Sequence, residues 1–301
     1  MNQPTIAGPW YEPLYATKAA TPRRVALALG GLRASGLPGS PIWNCVAGAL
    51  ERCGHERVEA QDAPDLIIAT WWKDTMGDLD LPRGVPVVHL WVGSDTHHTT
   101  AHSSDRRYNW VVSPWLARLL ESRSVHLAPV TARVVPLAPA FEPRLLPRSK
   151  ERRVLVYCPQ RNKGPIKYCW EETVEVARAC PDVQFMVLLK GGGSPLPNMR
   201  LVPRVRHENM PALYADTRLL LRLTPSDGTS MSVMEALGFG RHAIWNWWAP
   251  GATHASSIKE ATEAIQRLID APPYAGGVAS ALELRAQVDH SMSAAVDEVF
   301  S

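Results

Sequence analysis

The chain has 301 residues, 46% hydrophobic and 20% charged, which is the composition of a folded globular protein with room for two domains. The net charge of +3 permits an anionic ligand and does not demand nucleic acid. Five scattered cysteines, an odd number without a Cys-x-x-Cys pair, favour reduced thiols, a cytoplasmic location and no zinc site. We recognise no signal peptide and no apolar run of the roughly 18 residues that a membrane helix needs.

The first half of the chain opens with a strand, a glycine-rich loop and a helix. Arg24–Leu29 is the strand, and the loop that follows ends at Gly39 and Ser40. The helix after it carries apolar residues on one face and ends near Gly54, before a second strand that begins at Val58. This order predicts a Rossmann-like unit, although no Gly-x-Gly-x-x-Gly fingerprint for a dinucleotide stands at the turn.

Two further apolar strands of this half end in polar and aromatic residues. Ala63–Thr70 is followed by Trp71 and Trp72, and Val85–Trp91 is followed by Asp95 and His97. Because ligands of open α/β sheets bind outside the carboxyl ends of the strands, these side chains are candidates for substrate contacts. The alternatives are core packing for the tryptophans, Trp91 included, and an exposed loop for the histidine. Asp78-Leu79-Asp80 resembles a sugar-transferase metal motif, but it precedes a proline in a turn, and we interpret it as a surface turn.

A proline-rich linker precedes a second Rossmann-like unit. Residues 1–140 are predicted as an N-terminal domain, 141–277 as a C-terminal domain and 278–301 as a helix that packs back on the first domain. The second domain opens with the strand Arg153–Tyr157 and a basic loop containing Arg161, Lys163 and Lys167. The fold class predicted is therefore α/β, with two Rossmann-like domains that face each other across a cleft.

The most informative stretch is Thr224–Gly240. It follows an apolar strand, Leu219–Leu223, opens with turn and N-cap residues, and continues as a helix that glycines terminate. Asp227 and Glu235 bracket the start of this helix, where several backbone N–H groups lack a helical partner. Such a place suits an anionic ligand that also carries hydroxyl groups.

The second half resembles the C-terminal domain of retaining GT-B glycosyltransferases of family 4, the group of glycogen synthases and mannosyltransferases. The matching strings are Cys180–Gly193, Val205–Ala215, Ser226–Gly228 and Glu235–Gly240, in the family's order over about 90 residues. The first half matches more loosely, at Gly39–Ser40, at His89–Asp95 and at Val112–Leu116, and its domain is short for the family.

The resemblance implies roles for individual residues. Asp227 and Glu235 take the two positions of the Glu-x7-Glu motif, with Asp where the family has Glu at the contact with the transferred sugar. Glu235 is expected to accept hydrogen bonds from the ribose. Where the family has a sugar-contacting histidine this chain has Val92 or Gly93, and Asp95 or His97 is the expected substitute. The diphosphate is expected to bind a set of cations and amides, namely Arg161, Lys163, Lys167, Gly228, Thr229, Ser230, Gly39 and Ser40, so that no metal and no cofactor is needed beyond the nucleotide sugar.

The expected activity is transfer of a hexosyl group, with retention, from a UDP- or GDP-linked sugar to an acceptor hydroxyl. Trp71, Trp72 and Trp91 are the candidate contacts of the acceptor, either a glycan or, given the basic run Arg144–Arg153, a hydroxymethylated DNA. Two rival interpretations share the fold, a nucleotide-sugar epimerase and a binding protein without turnover. The sequence predicts no integral membrane segment and leaves the oligomeric state open.

Overall fold

The computed structural model of the protein describes residues 21–29, 41–59, 61–70, 84–91, 107–113, 116–118, 132–158, 168–188, 194–203, 205–225, 227 and 229–301. In this part of the chain the strands form two parallel sheets of six strands each. Such sheets need helices on their faces, and their strands are accordingly runs of apolar residues instead of alternating patterns.

The first sheet collects the strands of the first half of the chain. Its elements are β1 (Arg24–Leu29), α1 (Pro41–Arg52), β2 (Glu56–Val58), β3 (Leu66–Thr70), β4 (Val87–Trp91), β5 (Arg107–Val111) and β6 (Ala132–Val134). The strand order is β2-β1-β3-β4-β5-β6, and every neighbouring pair is parallel. All five residues of β4 are buried, as expected for a strand covered on both faces.

The second sheet repeats this arrangement with the second half. Its elements are β7 (Arg153–Tyr157), α2 (Trp170–Ala179), β8 (Gln184–Leu188), β9 (Met199–Val202), a 3-10 turn (His207–Asn209), α3 (Met210–Ala215), β10 (Leu219–Arg222), α4 (Met231–Gly238), β11 (His242–Trp245), β12 (Thr253–His254), α5 (Ile258–Leu268) and α6 (Ala275–Val299). The order is β12-β11-β10-β7-β8-β9, again all parallel. The predicted pair of Rossmann-like units is thus confirmed, whereas the exact domain limits stay predictions.

The long helix α6 begins at Ala275, three residues before the predicted start at 278, and two consecutive glycines, Gly276 and Gly277, belong to its first turn. Gly277 is buried where α6 crosses the end of α4, and a Cβ atom there would lie 3.1 Å from the carbonyl oxygen of Leu237. The other end of α6 contacts the first sheet's elements: Arg52 of α1 donates two hydrogen bonds, of 2.8 and 2.7 Å, to Asp289. α6 therefore packs against helices from both halves of the chain.

None of the helices in the described ranges combines the length and the apolar character needed to cross a membrane.

All five cysteines are free thiols, and Cys169 is the one that is not fully buried. Burial raises the pKa of the Cys169 thiol to about 11, and the nearby Glu172 carboxylate adds to the increase. Because the thiolate is the reactive form, we expect the folded protein to react slowly with Ellman's reagent at pH 8. The rate should increase about tenfold per pH unit up to about pH 11. Rapid reaction of any thiol at pH 8 without denaturant would contradict this, and urea-unfolded protein, with all five thiols reactive, is the control.

Candidate functional site

The connection between β10 and α4 leaves the carboxyl edge of the second sheet, and side chains that follow β11 fix its first turn. The side-chain amide of Asn246 forms hydrogen bonds with both backbone groups of Thr224. It accepts from the N–H at 3.1 Å and donates to the carbonyl at 2.8 Å. The indole N–H of Trp247 donates to the same carbonyl at 3.0 Å. Thr224 is completely buried, so these bonds satisfy groups that water cannot reach. The connection is therefore anchored at Thr224 to the residues that follow β11.

Asp227 forms an ion pair with Arg222, the last residue of β10. The guanidinium Nε donates to the Asp227 carboxylate at 2.6 Å, and the two side chains are 9% and 14% exposed respectively. Burial by itself lowers the pKa of Arg222, but the charge of Asp227 and its hydrogen bond outweigh burial and raise it. The Arg222 guanidinium also lies 5.5 Å and 5.2 Å from the rings of Tyr157 and Tyr168. The carboxylate predicted to face the sugar is thus held by a neighbouring cation.

Tyr168 belongs to the same group of side chains. Burial raises the pKa of Tyr168 to about 12, although the adjacent Arg222 charge works in the opposite direction. Its ring meets that of Tyr157 edge-on, with 5.4 Å between ring centroids. The two tyrosines and Arg222 form a polar and aromatic patch at the point where β7 and β10 end, which is the position of ligands in folds of this kind.

Glu235 lies on α4 and is 3% exposed, so it is not the solvent-exposed helix residue that a bare sequence pattern also allowed. One carboxylate oxygen is 2.6 Å from Nε2 of His207, and the other accepts a hydrogen bond from the Tyr214 hydroxyl at 2.9 Å. Burial, together with the Glu235 charge, raises the pKa of Tyr214 well above its usual range, which keeps this hydroxyl a donor. The predicted contact of Glu235 with a ribose stays a prediction.

Thr229 and Ser230 precede the first turn of α4, as predicted. Ser230 is 2% exposed, and its carbonyl accepts the first hydrogen bonds of the helix, from Val233 and Met234. The Thr229 hydroxyl donates to the carbonyl of Val112, just beyond β5, at 2.8 Å. The start of α4 is therefore tied to the first sheet's half of the chain. Binding of a phosphate at this helix end stays a prediction.

Trp91, a candidate for acceptor binding, ends β4 and is 1% exposed. Its indole N–H donates to Asn109 at 3.0 Å, and its ring stacks on His89 with 3.9 Å between centroids. The residue contributes to the core of the first sheet, and a contact with an acceptor stays a prediction.

The remaining predicted residues lie outside the described ranges. They are Gly39, Ser40, Trp71, Trp72, Asp95, His97, Arg161, Lys163, Lys167 and Gly228, and the turn Asp78–Asp80 lies outside them as well. Their roles stay predictions.

Three of the five cations in the basic run Arg144–Arg153 form ion pairs with acids. Arg148 and Arg152 both pair with Asp270, at 3.2 and 3.0 Å, and Arg153 pairs with Asp216 at 2.5 Å. Arg153 starts β7, so these pairs lie toward the amino edge of the second sheet, opposite the edge that carries Asp227. The run is therefore explained in large part as a structural ion-pair network.

Three residues of the site, Arg222, His207 and Tyr214, received no role from the sequence. Arg222 had a usable signal, because an arginine inside an apolar strand with an aspartate five positions later predicts a paired buried charge. The two partners of Glu235 carry no such signal, since their contact is made only in the folded chain.

Comparison with known proteins places the fold. No protein-family model and no curated protein sequence matches the chain. Among solved structures it is similar to AviGT4, a glycosyltransferase involved in avilamycin A biosynthesis, at 15% identity over 93% of this chain and 97% of that one, with a TM-score of 0.57. Sucrose-phosphate synthase from Thermosynechococcus elongatus is similar at 12% identity over 92% of this chain and 98% of that one, with a TM-score of 0.54. The chain has the GT-B fold.

Longer glycosyltransferases also share this fold. S. aureus TarM, in a complex that includes UDP, matches at 11% identity over 78% of this chain, with a TM-score of 0.51. The chain spans 54% of the length of TarM and 57% of the length of the pneumococcal O-GlcNAc transferase GtfA. At these identities the similarity shows the fold alone.

Proposed function

We propose that this GT-B protein is a metal-independent glycosyltransferase that moves a hexosyl group, with retention, from a nucleoside diphosphate sugar to an acceptor hydroxyl. The observation that carries the proposal is the connection after β10, which places Asp227 and Glu235 on the carboxyl-edge loop and helix of the second sheet. In doubly wound folds this edge holds the ligand. The UDP present in the TarM and GtfA structures makes a UDP-linked sugar the first donor to test, and a GDP-linked sugar the second.

In this proposal each part of a nucleotide sugar has a partner. Glu235 binds the ribose, and Asp227 faces the transferred sugar. The diphosphate lies at the start of α4, with Arg161, Lys163 and Lys167 as countercharges for the charge that develops on the leaving group. With retention, the leaving phosphate itself accepts the proton of the acceptor hydroxyl, so a dedicated protein base is not required. Asp95 and His97 are proposed to contact the sugar from the first half of the chain.

The acceptor proposed is a glycan, contacted by Trp71 and Trp72. The pairing of Arg148, Arg152 and Arg153 with acids gives a DNA acceptor less support than the sequence suggested. An electrophoretic shift assay at low salt decides between the acceptors: DNA as the acceptor requires binding that weakens steeply as salt increases.

A nucleotide-binding protein without turnover is the second candidate, and one contact favours it. Asp227, the carboxylate proposed to face the transferred sugar, is already paired with Arg222. Glu235 does not separate the two candidates, because both need it for the ribose. Each ionised carboxylate has about four acceptor positions, so the internal contacts leave both carboxylates able to accept from a ligand.

The decisive experiment incubates the protein with UDP-, GDP- and ADP-linked hexoses, with and without glycan acceptors, and follows release of the nucleoside diphosphate. We expect release that depends on one donor and increases with an acceptor, and an NMR coupling constant that shows retained anomeric configuration. Consumption of no donor under any condition would leave the binding protein as the better description. Conversion of the donor sugar without any acceptor would indicate an epimerase.

A further inference from the structure

Glu235 sits at one end of a chain of hydrogen-bonded side chains that begins in the other half of the protein. Asn44 on α1 lies 3.2 Å from Nδ1 of His207, and the opposite ring nitrogen of His207 lies 2.6 Å from Glu235. The three residues come from α1, the 3-10 turn before α3, and α4. The contact therefore links an N-terminal element to the carboxylate that the proposed function assigns to the ribose.

The chemistry of the two end groups fixes the orientation of the imidazole. A carboxylate is only an acceptor, so Nε2 of His207 must carry the hydrogen and donate to Glu235. The side-chain nitrogen of Asn44 is only a donor, so Nδ1 accepts from it. Glu235 and Asn44 thus favour the same tautomer, in which His207 donates to the carboxylate, and loss of the Asn44 bond removes one of the two contacts that hold the ring in that orientation.

Packing prevents the imidazole from leaving this position. His207 is 8% exposed, and its ring centroid lies 4.6 Å from that of Phe141. The second partner of Glu235, Tyr214, is completely buried on α3. Because buried donors hydrogen-bond both of its oxygens, the Glu235 carboxylate is already fixed before a ligand binds. Binding therefore costs little conformational entropy of this side chain, which is the advantage of preorganisation.

We propose that His207, oriented by Asn44, is the residue that positions Glu235 to accept hydrogen bonds from the ribose hydroxyls of the donor. This inference rests on the proposed function and adds to it a specificity element, namely that selection of ribose over deoxyribose depends on a contact from α1. His207 acts through Glu235 and is a positioning residue, not a catalytic one.

The test compares calorimetric titrations of UDP, GDP and ADP with titrations of their 2′-deoxy counterparts. For the best-binding diphosphate we expect the wild type to prefer the ribose form by about tenfold or more, the range of hydrogen bonds to a charged group. His207→Phe keeps a planar ring without the donor and should reduce the preference to about twofold, chiefly by weakening the ribose form. His207→Gln, whose amide nitrogen can replace Nε2, should restore most of it.

Two further variants separate positioning from general structure. His242→Phe makes the same change at a half-buried histidine that bonds the carbonyl of Pro272, and it should leave the preference for ribose unchanged. Asn44 is solvent-exposed, so Asn44→Ala should leave the protein folded even if His207→Phe does not. It removes the hydrogen bond to His207 and should lower the preference for ribose over deoxyribose about threefold.

The outcomes distinguish the inference from the function on which it rests. If the wild type binds none of the three diphosphates, the proposed function fails and the inference with it. If the wild type prefers ribose and both His207→Phe and Asn44→Ala retain the full preference, the inference alone is overturned. A preference that falls in these variants and returns in His207→Gln supports it, because a merely structural defect would weaken the ribose and deoxyribose forms equally.

Discussion

Replacement of Glu235 by glutamine is expected to weaken binding of the donor nucleotide by about tenfold while the protein remains folded. Glutamine keeps the shape of the side chain, and its carbonyl can accept from His207 while its amide donates to Tyr214, so the internal hydrogen bonds survive. The negative charge is lost, and hydrogen bonds from ribose hydroxyls to a neutral amide are about half as strong as those to a carboxylate. Calorimetric titration measures the change in Kd, and release of the nucleoside diphosphate measures the accompanying loss of activity.

The matched control is Glu263→Gln, which makes the same chemical change on α5, where the side chain is 58% exposed and paired with a lysine. It should alter neither the Kd nor the midpoint of unfolding. An unchanged Kd in a folded Glu235→Gln variant would show that the carboxylate serves only the internal contacts with His207 and Tyr214.

Replacement of Arg222 by methionine is expected to lower the free energy of unfolding by about 3–5 kcal/mol. Methionine preserves the unbranched stem next to Tyr157 and Tyr168, but the Asp227 carboxylate, 14% exposed, then loses the guanidinium of Arg222. The loss should exceed that from a typical surface substitution, which is within about 0.5 kcal/mol. Urea unfolding followed by tryptophan fluorescence measures it, provided that the slope of the transition is unchanged.

Two further variants test whether the lost ion pair causes this decrease in the free energy of unfolding. Arg178→Met removes an arginine that is 55% exposed on α2 and should change the free energy of unfolding little. The double variant Arg222→Met/Asp227→Leu removes both charges and should recover most of the stability, since an apolar pair can replace a buried ion pair at little cost. An unchanged urea midpoint for Arg222→Met would show that the ion pair with Arg222 does not stabilise the position of Asp227.

The strands of this protein are predictable because parallel sheets demand apolar runs. β1 and β7 have the predicted limits, since an uninterrupted run of apolar residues between polar ones is visible without knowledge of its neighbours. β12 was not predicted, because two residues are too few to form a pattern and the strand exists only through its pairing with β11. A strand can therefore be predicted from its own residues where burial on both faces requires them to be apolar.

The contacts of the site were harder to predict, since they depend on residues distant in the chain. The sequence selected Asp227 and Glu235 from their position at the start of a helix, and both lie on the predicted connection. That Glu235 meets His207 and Asn44 depends on the approach of three separate elements, and no spacing in the sequence encodes it. The structure also gives Asp227 a partner that the sequence analysis did not assign, since its carboxylate forms an ion pair with Arg222, five residues earlier.

The most direct test of the central claim, that this GT-B chain binds a nucleoside diphosphate sugar, is thermal unfolding in the presence of UDP, GDP and ADP. A ligand at about 100 times its Kd adds about 2.7 kcal/mol to the free energy of unfolding. For a chain of this size that corresponds to an increase in Tm of about 5 °C. We expect one of the three nucleotides to produce it and the Glu235→Gln variant to require a higher concentration for the same increase. A Tm that no nucleoside diphosphate changes, even at millimolar concentration, would contradict the account.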